Sequence, residues 1–299
     1  DDQQKGGGMM RSQIPSFRLP AEVLDEEVNQ ILHLGINAHF NTRVGSLRDT
    51  MAKGYDAVFV GTGAPKGKDL EIPGRHDAET NIHIGIQWLA SVAFEHIHHI
   101  GKKVIVLGGG NTAMDCCRTA RRLGGEEVKV VVRSPFAEMK ASPWEKEDAM
   151  HEDIPIIDNH VPKSFVVEGG KLKGVLFEKV SPVYEDGKRK LKPTGEPEVL
   201  IEADDVLIAI GQENTFPWIE RDLGLEFDQW GMPIINPNNF ASTLKGVFFG
   251  GDAALGPKNI ITAVAQGHEA AISIDLYCQG KDLNDRLEPR TRLQSTKMG

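Results

Sequence analysis

Glycines, rather than any nucleophile, are the residues of this 299-residue chain whose type and spacing point to chemistry. Gly108 to Ala113 read GGGNTA, a match to G-x-G-x-x-G/A. The context is the one the motif needs. The apolar run Lys103 to Leu107 precedes it, and Ala113, Met114, Cys117, Ala120 and Leu123 share one helical face after it. There Gly108 permits a tight turn, Gly110 lets a diphosphate approach the backbone, and small Ala113 lets helix and strand pack closely. Beyond Gly109 and Gly110, the helix opening at Asn111 and Thr112 directs its free N–H groups and positive dipole end at the phosphates. Dinucleotide binding is the expectation, with a purely structural turn as the bland alternative.

The end of the following strand, Val128 to Val132, discriminates between dinucleotides. NAD sites place a carboxylate there, about 20 residues on, to accept hydrogen bonds from the ribose hydroxyls. This chain has Arg133 and Ser134 instead. A guanidinium suits a 2′-phosphate, so NADP is favoured and NAD is the second candidate.

A second constellation is discontinuous. Gly61-Thr62-Gly63 closes the apolar run Tyr55 to Val60, and Gly250-Gly251-Asp252 closes Gly246 to Phe249. A carboxylate after glycines at a strand end is placed to accept a hydrogen bond from a polyol hydroxyl. The helix opening near Ile261-Thr262-Ala263 is placed to offer N–H groups to an electron-rich ring carbonyl.

Other chemistry is set aside. Cys116, Cys117 and Cys278 form no CxxC pair and too few positions for a self-contained iron–sulfur site. His96, His98 and His99 beside Glu95 do not share one helical face and are read as a polar helix end. No metal ligand and no catalytic side chain is assigned. The balance of 34 Lys+Arg against 43 Asp+Glu leaves a net charge of −9, which argues against nucleic acid and anionic membranes as partners. No apolar run reaches the ~18–20 residues needed to span a bilayer, so no membrane insertion is expected. The polar, Gly-rich amino end is unlike a signal peptide, and a cytoplasmic location is the default expectation.

The elements that must position these glycines alternate between helix and strand. Ala21 to Leu34 has helical apolar spacing, Ile36 to Phe40 reads as a strand, and Asn81 to His99 reads as helix. Lys103 to Val132 forms a βαβ unit. From Pro162 to Ile210 meandering strands are expected: Ser164 to Glu168, Leu172 to Val180, Glu198 to Ile201 and Val206 to Ile210. The charged run Glu185 to Lys192 reads as a solvated hairpin tip. A helix from about Ile261 to Cys278 precedes a polar, loosely held tail after Gly280.

Five motifs in order carry a family resemblance: GGMMRSQIPSFRLP (Gly7 to Pro20), YDAVFVGTGA (Tyr55 to Ala64), GGGNTAMD (Gly108 to Asp115), AIGQ (Ala209 to Gln212) and GVFFGGD (Gly246 to Asp252). Together they resemble the small subunit of NADPH-dependent glutamate synthase and its relatives, and the resemblance runs to about Gln279. It implies an α/β chain with two dinucleotide-binding, Rossmann-like domains of the flavin-dependent pyridine nucleotide oxidoreductase type. The FAD domain would be discontinuous, with a first segment at 1–99 and a second at 213–299 that carries the polar tail. The NAD(P)H domain would be 100–212. The resemblance places Gly7, Gly8 and Arg18 near the FAD phosphates and Val44 near its adenine. Thr62 and Gly63 would lie along the cofactor, Gly251 and Asp252 at the ribityl chain, and Thr262 and Ala263 at the flavin ring. Gly211 and Gln212 would approach the nicotinamide nucleotide.

The family's first GxGxxG unit and its amino-terminal iron–sulfur region have no counterpart here, so the FAD domain is expected to be incomplete. Another chain would supply the missing FAD-binding unit, or the sequence is a fragment, or FAD is bound poorly. The activity implied is electron transfer from NAD(P)H through FAD to an iron–sulfur protein or a larger redox subunit. The alternative is an NAD(P)H-binding module or assembly subunit without turnover of its own.

Overall fold

Alternation along the strand Lys103–Leu107 sets the architecture, because successive side chains point to opposite faces. The computed structural model, which describes residues 1–185 and 188–286, buries both faces of this strand. Val104 and Val106 pack with Ala113, Met114, Cys117 and Ala120. Ile105 and Leu107 pack instead with Phe165, Val175 and Phe177. Burial on two faces explains the unbroken apolar run.

The described helices are α1 (Gly8–Ser12), α2 (Ala21–Leu32), α3 (Leu47–Met51), α4 (Gly85–Ala93), α5 (Asn111–Arg122), α6 (Pro143–His151), α7 (Asp252–Leu255) and α8 (Ile260–Cys278). The chain divides into two compact units: one holds Gly6–Asn37 and Gly67–Gly211, the other Asp1–Lys5, Ala38–Lys66 and the chain from Gln212 onward.

In the first unit a five-stranded parallel sheet runs in the order Ile82–Ile84, Asp205–Ile208, Lys103–Leu107, Glu127–Val131, Ile156–Ile157. α4 and α5 lie on one face. The other face is covered by antiparallel strands His160–Glu168, Lys171–Glu185 and Val199–Glu202. Lys188–Pro193 pairs with the far end of Lys171–Glu185. Residues 186 and 187, inside the expected hairpin tip, and residues 287–299 of the expected tail lie outside the described residues.

In the second unit Val58–Val60 pairs in parallel with Val247–Phe249, Val60 opposite Phe249. Leu47, Phe216, Ile219, Leu225 and Ala253 close a core around this pair. The Phe216 and Phe249 rings meet edge to face at 5.8 Å, a favoured aromatic geometry. Ser46 caps α3 by accepting from the Asp49 N–H at 3.0 Å.

Several expectations meet a different arrangement. Gly6–Asn37 and Gly67–Gly211 cluster with the parallel sheet, whereas the resemblance implies a segment 1–99 grouped with 213–299. The strand Ile82–Ile84 pairs with Asp205–Ile208, so long-range pairing decides the grouping. The expected helix at Asn81 to His99 is shortened to Gly85–Ala93 by that strand. Asp205–Ile208 joins the parallel sheet between Ile82–Ile84 and Lys103–Leu107 rather than the meander. Ile36 to Phe40 takes no strand, and Leu34 and Ile36 stay exposed.

Candidate functional site

The carboxyl ends of the parallel strands converge on the GGGNTA turn. Gly108 has φ 144°, and a Cβ there would sit 2.2 Å from the Ala209 carbonyl oxygen, so glycine is compulsory. Ala113 is fully buried, its Cβ 3.5 Å from where the Gly108 Cβ would be, as expected for close helix–strand packing. Gly110 is different: its φ is −102°, open to any residue, and a Cβ there would meet nothing within 4 Å. The fold therefore does not require glycine at 110. A side chain would instead occupy the space ahead of α5.

The amide accounting agrees. Gly108 N–H donates to Val131 O at 3.2 Å, and Ala113 and Met114 N–H groups donate to Gly110 O. The N–H groups of Gly109, Gly110, Asn111 and Thr112 have no acceptor among the described residues. Four amides at the positive end of a twelve-residue helix form an anion cradle, and the residues present fit a dinucleotide diphosphate.

Arg133 and Ser134 follow the neighbouring strand at the same edge of the sheet. Arg133 is exposed, with no ion pair or hydrogen bond to a described residue, so its guanidinium is available to a ligand. The loop that carries it is anchored to the glycine turn, a feature missed from sequence. Ala141 N–H donates to Gly109 O at 2.9 Å, and Ser142 N–H to Asn111 Oδ1 at 2.8 Å. Phe136 N–H donates to Asp158 Oδ2 at 2.9 Å. The Asn111 side chain thus serves the loop. The only prior signal was the Ser142-Pro143 pair that opens α6.

Gly211, with φ 130°, ends the first unit, and its carbonyl accepts from Lys68 N–H at 3.0 Å. Gln212 begins the second. The structure therefore gathers Gly108–Thr112, Arg133, Ser134 and Gly211 in one unit. Gly7, Gly8 and Arg18 also belong to it, whereas Val44, Thr62, Gly63, Gly251, Asp252, Thr262 and Ala263 belong to the other. Gly7 caps α1 at φ 119°, with Leu24 against it. Arg18 is committed: its Nη1 lies 2.7 and 2.9 Å from the two Asp115 carboxylate oxygens, and its Nη2 is 2.7 Å from Glu145 Oε1.

In the second unit, Gly251 at φ 63° and ψ −151° takes a backbone conformation open to glycine alone. Asp252 Oδ1 accepts from Lys258 N–H at 2.9 Å, and Asn214 Nδ2 donates to Asp252 O at 2.7 Å. The space beside Gly61 and Gly250 is taken by the Phe59 ring, 2.6 Å from a Gly250 Cβ. Those two glycines are thus explained by packing. Asn259 caps α8, its Oδ1 accepting from Thr262 N–H at 2.9 Å and Thr262 Oγ1 at 2.7 Å, while its carbonyl accepts from Ala263 N–H. The amides of Ile260 and Ile261 are the ones left without a described acceptor. Asn214 Oδ1 and Gln266 Oε1 are buried without partners. Phe59, Leu255, Ile260, Ile261 and Val264 are exposed. Orphaned acceptors in a unit that also leaves these apolar side chains exposed fit a planar ring with N–H donors. Val44 and Thr62 are exposed on the surface.

The thiols take no part. Cys116 and Cys117 are buried and unpaired. Burial pushes the Cys116 thiol far up and the Cys117 thiol up to about 12, so neither supplies a thiolate at neutral pH. Among the described residues no three His, Cys, Asp or Glu are grouped to hold a metal ion, and no helix is long and apolar enough to cross a membrane.

Comparison with known proteins shows the family and the fold. The profile of the family described as pyridine nucleotide-disulphide oxidoreductase matches residues 20–267. The NADP(+)-dependent formate dehydrogenase subunit beta of Moorella thermoacetica is 34% identical over 298 residues, covering 98% of this chain and 42% of that protein. A provisionally named glutamate synthase [NADPH] small chain of Cereibacter sphaeroides is 30% identical over 292 residues, 92% of this chain and 69% of that one. The chain thus spans less than half of the formate dehydrogenase subunit. Among solved structures, FprA of Mycobacterium tuberculosis superposes with a TM-score of 0.77 at 16% identity, covering 93% of this chain and 77% of FprA. That likeness establishes the α/β fold.

Proposed function

The chain belongs to the pyridine nucleotide-disulphide oxidoreductase family, and from that premise we propose that it is the NADP(H)-binding, electron-accepting component of a flavin-dependent redox assembly. FAD and NADP are the cofactors of this family. When bound, the nicotinamide supplies a hydride and the flavin can take it up and release the electrons singly.

The observation that carries the reading is the open space at Gly110 faced by four unpaired amides. Gly108 to Thr112 hold the diphosphate, and Gly211 with Gln212 lines the approach of the nicotinamide end. Arg133 and Ser134 meet the 2′-phosphate, and the free guanidinium of Arg133 supports NADP over NAD. Within the second unit, Gly251 and Asp252 serve the polyol chain and Thr262 with Ala263 sets the helix end under the flavin ring. Val44, Thr62 and Gly63 border the rest of that cofactor. No side chain is required as acid, base or nucleophile, because alignment and electrostatics are the protein's share.

Relatives named as a subunit and a small chain support a partner in the form of a larger redox subunit or iron–sulfur protein. A second reading, a nucleotide-binding module without turnover of its own, draws support from Arg18. Its guanidinium is spent on Asp115 and Glu145, which leaves the FAD phosphates without the cation expected for them. If another chain supplies FAD-binding residues, both readings describe the same polypeptide, alone and assembled.

Calorimetric titration tests the proposal. NADPH should bind, NADH more weakly, and Gly110→Val should abolish both while leaving the fold intact, since a Cβ at that position would meet nothing within 4 Å. Unchanged binding in Gly110→Val, or none in the unmutated chain, would sink it. Flavin absorbance retained after gel filtration separates the two readings.

A further inference from the structure

Behind the glycine turn three distant segments meet in one buried ionic cluster. Asp115 on α5 is 5% exposed and Glu145 on α6 is 4% exposed, and the Arg18 guanidinium bridges them. Arg118 joins Glu145 at 3.1 Å, Asp148 at 3.0 Å and Glu152 at 2.9 Å, and Arg122 joins Glu152 at 2.6 Å. The Phe17 ring lies under both guanidiniums, 4.9 Å from Arg118 Cζ and 3.9 Å from Arg122 Cζ. Segment Ser16 to Arg18 is thereby fastened to α5 by charge and by cation–π contact. Replacing such a cluster by well-packed apolar residues is often neutral or stabilising, so stability alone does not account for it.

The reason lies in the position of Asp115. It stands five residues past Gly110, about 7.5 Å along the helix at ~1.5 Å per residue, behind the amides that face the diphosphate. An uncompensated carboxylate at that place opposes an incoming anion. Building on the dinucleotide reading above, we infer that Arg18, held by Phe17, is a positioning residue for the coenzyme: it neutralises Asp115 beneath the head of α5 and fixes the helix that presents the phosphate cradle.

The surroundings of Asp115 are accounted for. Arg18 faces it from the amino-terminal segment, Arg118 and the buried Cys116 and Cys117 thiols from its own helix, and Glu145 from α6. α4 contributes no titratable side chain to this packing. Burial, helped by Glu145, raises the Asp115 carboxyl to about 6 even with Arg18 attached. Removing Arg18 raises it further.

Titration with ADP-ribose tests this, because that probe carries the diphosphate without a 2′-phosphate that itself titrates near pH 6. In the unmutated chain the affinity should show a step near pH 6. In Arg18→Ala the step should move to higher pH and deepen to about tenfold, the size expected for one unit charge acting across such a distance. In Arg18→Ala with Asp115→Asn the step should vanish. A profile in Arg18→Ala that superimposes on the unmutated one overturns the inference, as does a step that survives in the double variant. Failure of the unmutated chain to bind ADP-ribose at any pH overturns the dinucleotide reading instead. If Arg18→Ala does not fold, Arg18→Lys, which keeps the charge but loses the fork, should show a smaller shift of the same sign, and no shift overturns the inference.

Discussion

Replacing Asp115 by asparagine should remove a pH-dependent instability from the unit built on the parallel sheet. In the folded chain the Asp115 carboxyl sits at about 6 against an ordinary 3.8, chiefly because burial disfavours its charged form, with Arg18 only partly offsetting that. Between those two pH values the folded state holds a proton that the unfolded state has released. Stability therefore falls as pH rises through this window. The difference of about 2 units corresponds to roughly 3 kcal/mol at ~1.4 kcal/mol per unit. The amide of Asp115→Asn keeps an oxygen for Arg18 but cannot ionise, so the variant should lack this slope. It should be more stable than the unmutated chain at pH 8, by about 2 kcal/mol after Arg18 loses a charge-assisted bond, and should lose the advantage at pH 4. Native-state hydrogen exchange of α5 at several pH values, corrected for intrinsic rates, reads the local stability directly. Parallel pH profiles for the two proteins would refute the assignment of a raised, buried carboxyl.

Gly108→Ala should destabilise the same unit by about 3 kcal/mol or more, since a Cβ would meet the Ala209 carbonyl at 2.2 Å; denaturant midpoints check it, and an unshifted midpoint would contradict the turn geometry. Arg133→Ala should weaken NADPH by about tenfold and NADH hardly at all; equal loss for both would remove the basis for preferring NADP. Asn111→Ala should free Ser142, and with it the 133–142 loop, from the head of α5, and the test is a narrowed NADPH-to-NADH affinity ratio with the diphosphate contacts intact. Cys278, exposed, should react with iodoacetamide in the folded chain while buried Cys116 and Cys117 stay protected, as peptide mass mapping before and after denaturation would show.

The GGGNTA turn was legible without coordinates because its constraints are local. A positive φ at Gly108, a packed Cβ at Ala113 and free amides at the head of α5 all arise within six consecutive residues. The unbroken apolar run of Lys103 to Leu107 likewise pointed to a strand buried on both faces. The five ordered motifs pointed to the family that the comparison with known proteins established. Tertiary structure alone decided where the remaining pieces went. Arg18 found Asp115, 97 positions away in the chain, and no periodicity encodes such an ion pair. Asp205–Ile208 left the apparent meander for an interior place in the parallel sheet, because a short apolar run does not name its partner strand. Asn259 took the Thr262 and Ala263 amides that the sequence reading reserved for a ligand. Local backbone demands are written in neighbouring residues, whereas the partners of charges, amides and sheet edges are chosen by the folded chain as a whole.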